Sequence, residues 1–194
     1  QRSSFIKAVG KLASANALGQ VILFAVMPLV TRLYTPADFG VFAVFLAIFS
    51  LVLVGSSLRY ELAVPLPRSD GNAFSVLLLA FWINVVVALG SVVGVLFLSG
   101  TLAHALNAPE LPKVLWILPL SILGAGSNRA LRYWAIRHHD FNVLAKTQIT
   151  QSGANATFQV FNGMVGLGGA GLAIGHTLGL TAGAYRLAQD VLPR

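Results

Sequence analysis

Residues 39–58 read FGVFAVFLAIFSLVLVGSSL, twenty residues without a charged side chain, bounded by Asp38 and Arg59. A helix needs ~20 apolar residues to cross the ~30 Å hydrocarbon core of a bilayer, and this stretch supplies them. The same ruler, carried outward, finds more runs. No charge falls between Lys11 and Arg32, which gives a helix over 12–33. Residues 71–109 are again uncharged, too long for one span and too short for two with a turn. A helix over 73–98 and a loop over 99–112 containing two prolines divide that run. A fourth helix covers 113–133, where Arg129 and Arg132 can snorkel to the interface. The uncharged run 147–185 has room for two helices, 144–165 and 169–188. Gly163, Gly166, Gly168, Gly169 and Gly171 mark the turn between them. Pro28 and Pro119 fall inside the first and fourth helices and should kink them. The fold class is therefore all-α, a polytopic transmembrane helix bundle of about six spans.

Composition agrees. Of the 194 residues 56% are hydrophobic and 10% charged, against roughly 25% charged in a soluble domain. Such a chain has too little polar surface to cover a core in water. A net charge of +7 would suggest nucleic acid in a soluble protein. Here the basic residues lie between apolar runs, so membrane topology accounts for them and no nucleic-acid partner is expected. Cysteine is absent, which excludes disulfides, thiol nucleophiles and Cys–metal sites. The chain begins at Gln1, so further sequence is expected upstream, and the first apolar run reads as a retained helix rather than a cleaved signal.

Orientation follows from Lys and Arg in the short connections. One set of segments carries Arg2, Lys7, Lys11, Arg59, Arg68, Arg129, Arg132, Arg137, Lys146, Arg186 and Arg194; the other carries only Arg32 and Lys113. That bias puts the N-terminus, and with six spans the C-terminal end, in the cytoplasm. Trp116 and Trp134 suit the two interfaces of the fourth helix, while Trp82 lies deeper and reads as a bundle-packing residue.

The fifth helix carries the clearest chemical signal. At 100° per residue, Gln148, Gln151, Ser152, Asn155, Gln159 and Asn162 share an arc of about 100°. A polar face inside a membrane meets other helices or a wet cavity, not lipid. Both readings stand at this point: hydrogen bonds between helices, or a hydrophilic cavity whose uncharged amides and hydroxyls suit sugars. Asn16 and Gln20, with Met27 and Thr31, form a weaker stripe on the first helix, and Asn84 needs a partner near the middle of the third. Arg59 and Glu61 close the second helix, either as a solvated pair or as an anion-binding or gating site, and Arg129 could snorkel or meet an anionic headgroup. His138, His139 and Asp140 do not make a metal site, because adjacent helical positions point about 100° apart. His176 stands alone and reads as packing. No phosphate loop, nucleophile elbow or metal-helix motif occurs, so no catalytic residue, metal or cofactor is expected.

The segment Leu33-Tyr34-Thr35-Pro36-Ala37-Asp38-Phe39-Gly40 resembles the one following the first helix of bacterial polysaccharide flippases. These are the Wzx-like O-antigen and capsule-unit translocases of the multidrug/oligosaccharidyl-lipid/polysaccharide exporter superfamily. Leu58-Arg59-Tyr60-Glu61-Leu62-Ala63-Val64-Pro65-Leu66-Pro67 resembles their cytoplasmic loop. Residues 129–137 with Phe141, and Gly171-Leu172-Ala173-Ile174-Gly175, resemble segments at their fourth and sixth helices. The resemblance spans essentially the whole chain. It implies one lobe, the N-terminal one, of a two-lobed transporter of 12 to 14 helices, partnered by a C-terminal lobe of the same chain. The implied substrate is an undecaprenyl-diphosphate-linked oligosaccharide crossing the bacterial inner membrane, in contact with membrane lipids. A drug/cation antiporter of the same superfamily would need an acidic residue facing the cavity. A membrane enzyme of envelope assembly would need paired carboxylates, and Asp38, Glu61 and Asp70 are scattered.

Overall fold

The computed structural model describes residues 2–56, 63–66, 69–138 and 140–191. Within them run seven helices: α1 (Arg2–Leu33), α2 (Pro36–Ser56), α3 (Asp70–Ala105), α4 (Leu111–Leu115), α5 (Leu118–Arg137), α6 (Phe141–Met164) and α7 (Gly168–Val191). Four stretches are long and apolar enough to cross a membrane: Gly10–Leu33, Pro36–Gly55, Asp70–Ala105 and Leu111–Arg137. The chain is an all-α bundle with the character of a multi-pass membrane protein. α6 and α7 fall outside that set, α6 because its amide stripe lowers its hydropathy.

The main differences from the sequence expectation are three. α1 starts at Arg2, ten residues before the expected 12, because Lys7 and Lys11 end the apolar run without ending the helix. The expected loop over 99–112 is helical as far as Ala105, because Ser99 and Gly100 are weak stops. The chain turns instead at Asn107, which takes a positive φ of 49°, just before Pro109. With Ser69 capping its start through the Asn72 N–H, α3 runs 36 residues, about 54 Å at ~1.5 Å per residue. It therefore outreaches a ~30 Å hydrocarbon core. The expected fourth helix is broken at Trp116 and Ile117, and Pro119 opens α5 rather than kinking a continuous helix. A proline in the first turn has no intrahelical bond to lose. Pro28 does lie inside α1.

The main core joins Phe45, Phe49 and Leu53 of α2 to Val95 of α3, Leu111 and Leu115 of α4, and Leu118 and Ile122 of α5. At the other end Leu131, Ala135, Leu144, Leu187 and Val191 tie α5, α6 and α7 together. Arg137 fixes the end of α5 to the start of α3 through Asp70 (2.9 Å) and to the Pro65 carbonyl (3.2 Å). The outer surface is apolar, as lipid requires: Phe24, Leu51, Val86 and Phe97 are all exposed. Trp82 belongs to this surface with 62% of its area exposed, which corrects the bundle-packing expectation. It sits on the outward face of α3, between the turns carried inward by Ala80 and Asn84.

Candidate functional site

The site is built on the polar face of α6, and α7 decides how that face is used. α7 carries Gly171, Gly175, Gly179 and Gly183, one per four residues and hence along one side. A methyl group on Gly175 would stand 2.6 Å from Cγ and 2.8 Å from the backbone N of Gln159. On Gly179 it would stand 2.8 Å from Cβ of Asn155, and on Gly183 3.0 Å from Oε1 of Gln151. The bare backbone of α7 thus lies directly on the stripe. The two helices join through a turn at 165–167, where Gly166 (φ 77°) and Gly168 (φ 56°) take the left-handed conformation. Gly163, Gly169 and Gly171, expected to form the turn, instead lie within the helices.

Each stripe residue has a definite place. Asn162 is buried and donates Nδ2 to the Gly171 carbonyl (3.0 Å). Gln151 accepts from Nδ2 of Asn128 on α5 (3.4 Å), which also reaches the Leu180 carbonyl (3.4 Å). Gln148 accepts from Arg132 at 3.3 Å. Ser152 is buried where α1 crosses, and a methyl on Gly19 would stand 2.7 Å from its hydroxyl. Asn155 and Gln159 have their stems against α7 and also line a cleft of about 290 Å³ between α1 and α2. Leu23, Met27, Phe39, Phe42 and His176 complete much of its wall. Oδ1 of Asn155 and Nε2 of His176 are buried without a hydrogen-bond partner among the described residues. His176 stands edge-on to Phe42 and Phe49, at 6.1 and 5.7 Å.

The remaining expected site residues do not converge here. Asn84 is buried at the α3–α5 interface, where Nδ2 donates to the Leu123 carbonyl (3.2 Å), and any side chain on Gly126 would collide with it. Asn16 and Gln20 are exposed on α1. Arg129 is exposed on α5, whereas Arg132, three residues on, is half-buried and forms no ion pair among the described residues. Arg59 and Glu61 lie outside the described residues. His139 does too, while His138 is exposed with Nδ1 against the Trp134 carbonyl (3.0 Å). Among the described residues no three His, Cys, Asp or Glu stand together to hold a metal.

Sequence reasoning missed Asn128, an amide in an apolar helix beside Gly124 and Gly126, and gave His176 only a packing role. It also gave the 33–40 segment no structural task. There the Tyr34 hydroxyl donates to the Gln159 carbonyl (2.6 Å). Burial, with the Asp38 carboxylate adding to it, pushes its ionisation up to about 12, so it remains a donor. Asp38 accepts from the Thr35 N–H (2.8 Å) and hydroxyl (2.7 Å) with one oxygen, and from the Gly169 N–H (2.7 Å) with the other. A carboxylate on the Gly169 N–H, in the first turn of α7, both caps the helix and meets the positive end of its dipole. The α1–α2 turn is thereby locked to the α6–α7 turn.

Residues 29–185 match the model of a family described as polysaccharide biosynthesis protein, and the chain belongs to that family. No curated protein and no solved structure matches it. The matched residues run from the end of α1 through most of α7 and include both turns joined by Asp38. Family and fold together make this a membrane protein of polysaccharide biosynthesis with the character of a transporter.

Proposed function

We propose that this chain is the N-terminal lobe of a non-enzymatic flippase. It carries an undecaprenyl-diphosphate-linked oligosaccharide across the bacterial inner membrane, working against a second lobe of the same polypeptide. In this reading α1, α2, α3, α4 with α5, α6 and α7 make six spans, with the N-terminus in the cytoplasm. The observation that carries the reading is the pair of exposed amides, Asn16 and Gln20, on the membrane-spanning part of α1. Exposed amides at that depth are costly in lipid and suit a wet path between two lobes, where they bond sugar hydroxyls. Asn155 and Gln159 offer the same chemistry in the neighbouring cleft, with Gln148, Ser152 and Asn162 along the same stripe and Asn84 in the α3–α5 interface. The diphosphate meets Arg129 and the half-buried Arg132, and Arg59 with Glu61, outside the described residues, is assigned to the headgroup or gate on its sequence alone. The hydrocarbon chain follows the groove of about 520 Å³ between α2 and α3, lined by Ile48, Val52, Val86, Gly90 and Leu98.

The test uses the full chain in proteoliposomes, with purified lipid-linked oligosaccharide as substrate and the double variant Asn16→Leu, Gln20→Leu. Both positions are exposed, so thermal stability in detergent should stay level while transport falls at least roughly tenfold, the effect of losing two or more hydrogen bonds. Unchanged transport by the double variant sinks the proposed path. Cysteines placed at Asn107 and Ser69 report orientation in intact cells: an impermeant thiol reagent should label the first and spare the second.

A further inference from the structure

Two residues that line the α1–α2 cleft, on different helices, each carry a buried polar atom with no hydrogen-bond partner among the described residues: Oδ1 of Asn155 on α6 and Nε2 of His176 on α7. Gln159, one turn beyond Asn155, lines the same cleft. A buried polar atom that gives up water without regaining a bond is costly, and native structures keep few of them. Two such atoms on residues that line one cleft mark a place suited to a ligand that brings its own hydrogen-bonding groups and meets them by a small side-chain rotation. Their chemistry narrows the ligand. The Asn155 oxygen only accepts, the imidazole nitrogen donates or accepts according to tautomer, and the Gln159 amide does both.

The rest of the wall narrows it further. Among the described residues no charged side chain lines the cleft, so an ion would enter without a counter-charge, which burial penalises heavily. Phe39 and Phe42 give aromatic surface, and Phe42 with Phe49 holds the His176 ring edge-on. A volume of about 290 Å³ lies at the small end of ligand sites. A ring bearing several hydroxyls satisfies all of this. Each hydroxyl both donates and accepts, the C–H edges suit the aromatic faces, and the molecule is neutral.

We propose that the α1–α2 cleft is a binding subsite for one uncharged hexose ring, held by Asn155, Gln159 and His176. This rests on the transport reading, in which the ring is a unit of the carried saccharide. It gives His176 a contact to substrate and places a sugar within the lobe, behind α1, as well as in the path outside it.

The experiment reads binding without transport. The full chain, with 15N-labelled histidine, is held in octyl tetraethylene glycol ether and titrated with octyl β-D-glucoside, a single hexose on the same alkyl chain. His176→Phe assigns the signal. The expected result is a saturable shift of the His176 ring nitrogens with the glucoside and none with added ether detergent. The apparent affinity should fall roughly 3- to 10-fold in Asn155→Leu, the effect of one lost hydrogen bond. No saturable shift, or the same shift with the ether, overturns the subsite. Thermal stability in the same detergent separates lost binding from lost folding, and Gln159→Leu serves as the second variant should Asn155→Leu not fold. A wild-type chain that binds the glucoside but moves no lipid-linked saccharide would sink the transport reading and leave the subsite standing.

Discussion

The seam between α6 and α7 and the cleft between α1 and α2 draw on the same residues in opposite ways. At the seam the stems of Asn155 and Gln159 press on Gly179 and Gly175, with no room even for a methyl group. At the cleft the same two residues line open space, and the buried Oδ1 of Asn155 finds no partner among the described residues. A polar stripe on a membrane helix is therefore not one kind of thing. Its inner edge can be a packing surface while its outer edge remains available for binding. What decides is the neighbour: glycines every fourth residue let α7 close on the stripe, whereas Leu23, Met27 and Val30 of α1 leave a gap.

The seam gives the largest expected effect. Gly175→Val drives side-chain carbons into the Gln159 backbone and should lower stability by roughly 3 kcal/mol or more, since overpacking in a close-packed interface has no soft way out. Gly153→Ala on α6 is its control. Nothing lies within 4 Å of a methyl there, and a mid-helix glycine replaced by alanine should stabilise by about 0.5–1 kcal/mol. Thermal unfolding in detergent measures both, and equal effects would mean that α7 does not lie against α6 as described. A smaller loss is expected at the lock between the turns. Asp38→Ala leaves the Gly169 and Thr35 N–H groups without their acceptor and should cost about 2 kcal/mol. Hydrogen exchange should then quicken at the first turn of α7 while the middle of the seam stays protected. Uniform loosening along α7 would show that the seam depends on the cap rather than on the glycines.

Much of this fold was legible because charge is scarce. Arg32 and Asp38 stand beside the α1–α2 turn, whereas α1 runs on through Lys11 to Arg2 and Arg59 lies outside the described residues. The end of α3 had no charge to mark it. Ser99 and Gly100 looked like the end of α3, but the helix continues until Asn107 adopts its positive φ. The break before α5 turns on whether Pro119 sits in the first turn or the interior of a helix, and pattern alone leaves that open. The stripe on α6 was visible from angular spacing. Its division into seam and cleft was not, because that depends on how α1 and α7 are rotated about it. The four-residue spacing of Gly171, Gly175, Gly179 and Gly183 was in plain view, yet Gly171 was counted with the turn. His176 looked solitary because its companions, Asn155 and Gln159, lie on another helix.

The glycine ladder also bears on how the chain enters the membrane. α6 and α7 are not among the helices apolar enough to cross by themselves, and α6 alone would carry its amides into hydrocarbon with little to bond them. Paired, Asn162 has the Gly171 carbonyl and the flat side of α7 covers the stems of Asn155 and Gln159. In the six-span reading proposed above, the unit of insertion is the hairpin, closed at 165–167, rather than the single helix, and insertion of α6 waits until α7 has been synthesised. In a cell-free translocation assay, a chain ended after Met164 should leave α6 outside the bilayer, and one ended after Val191 should carry both helices in.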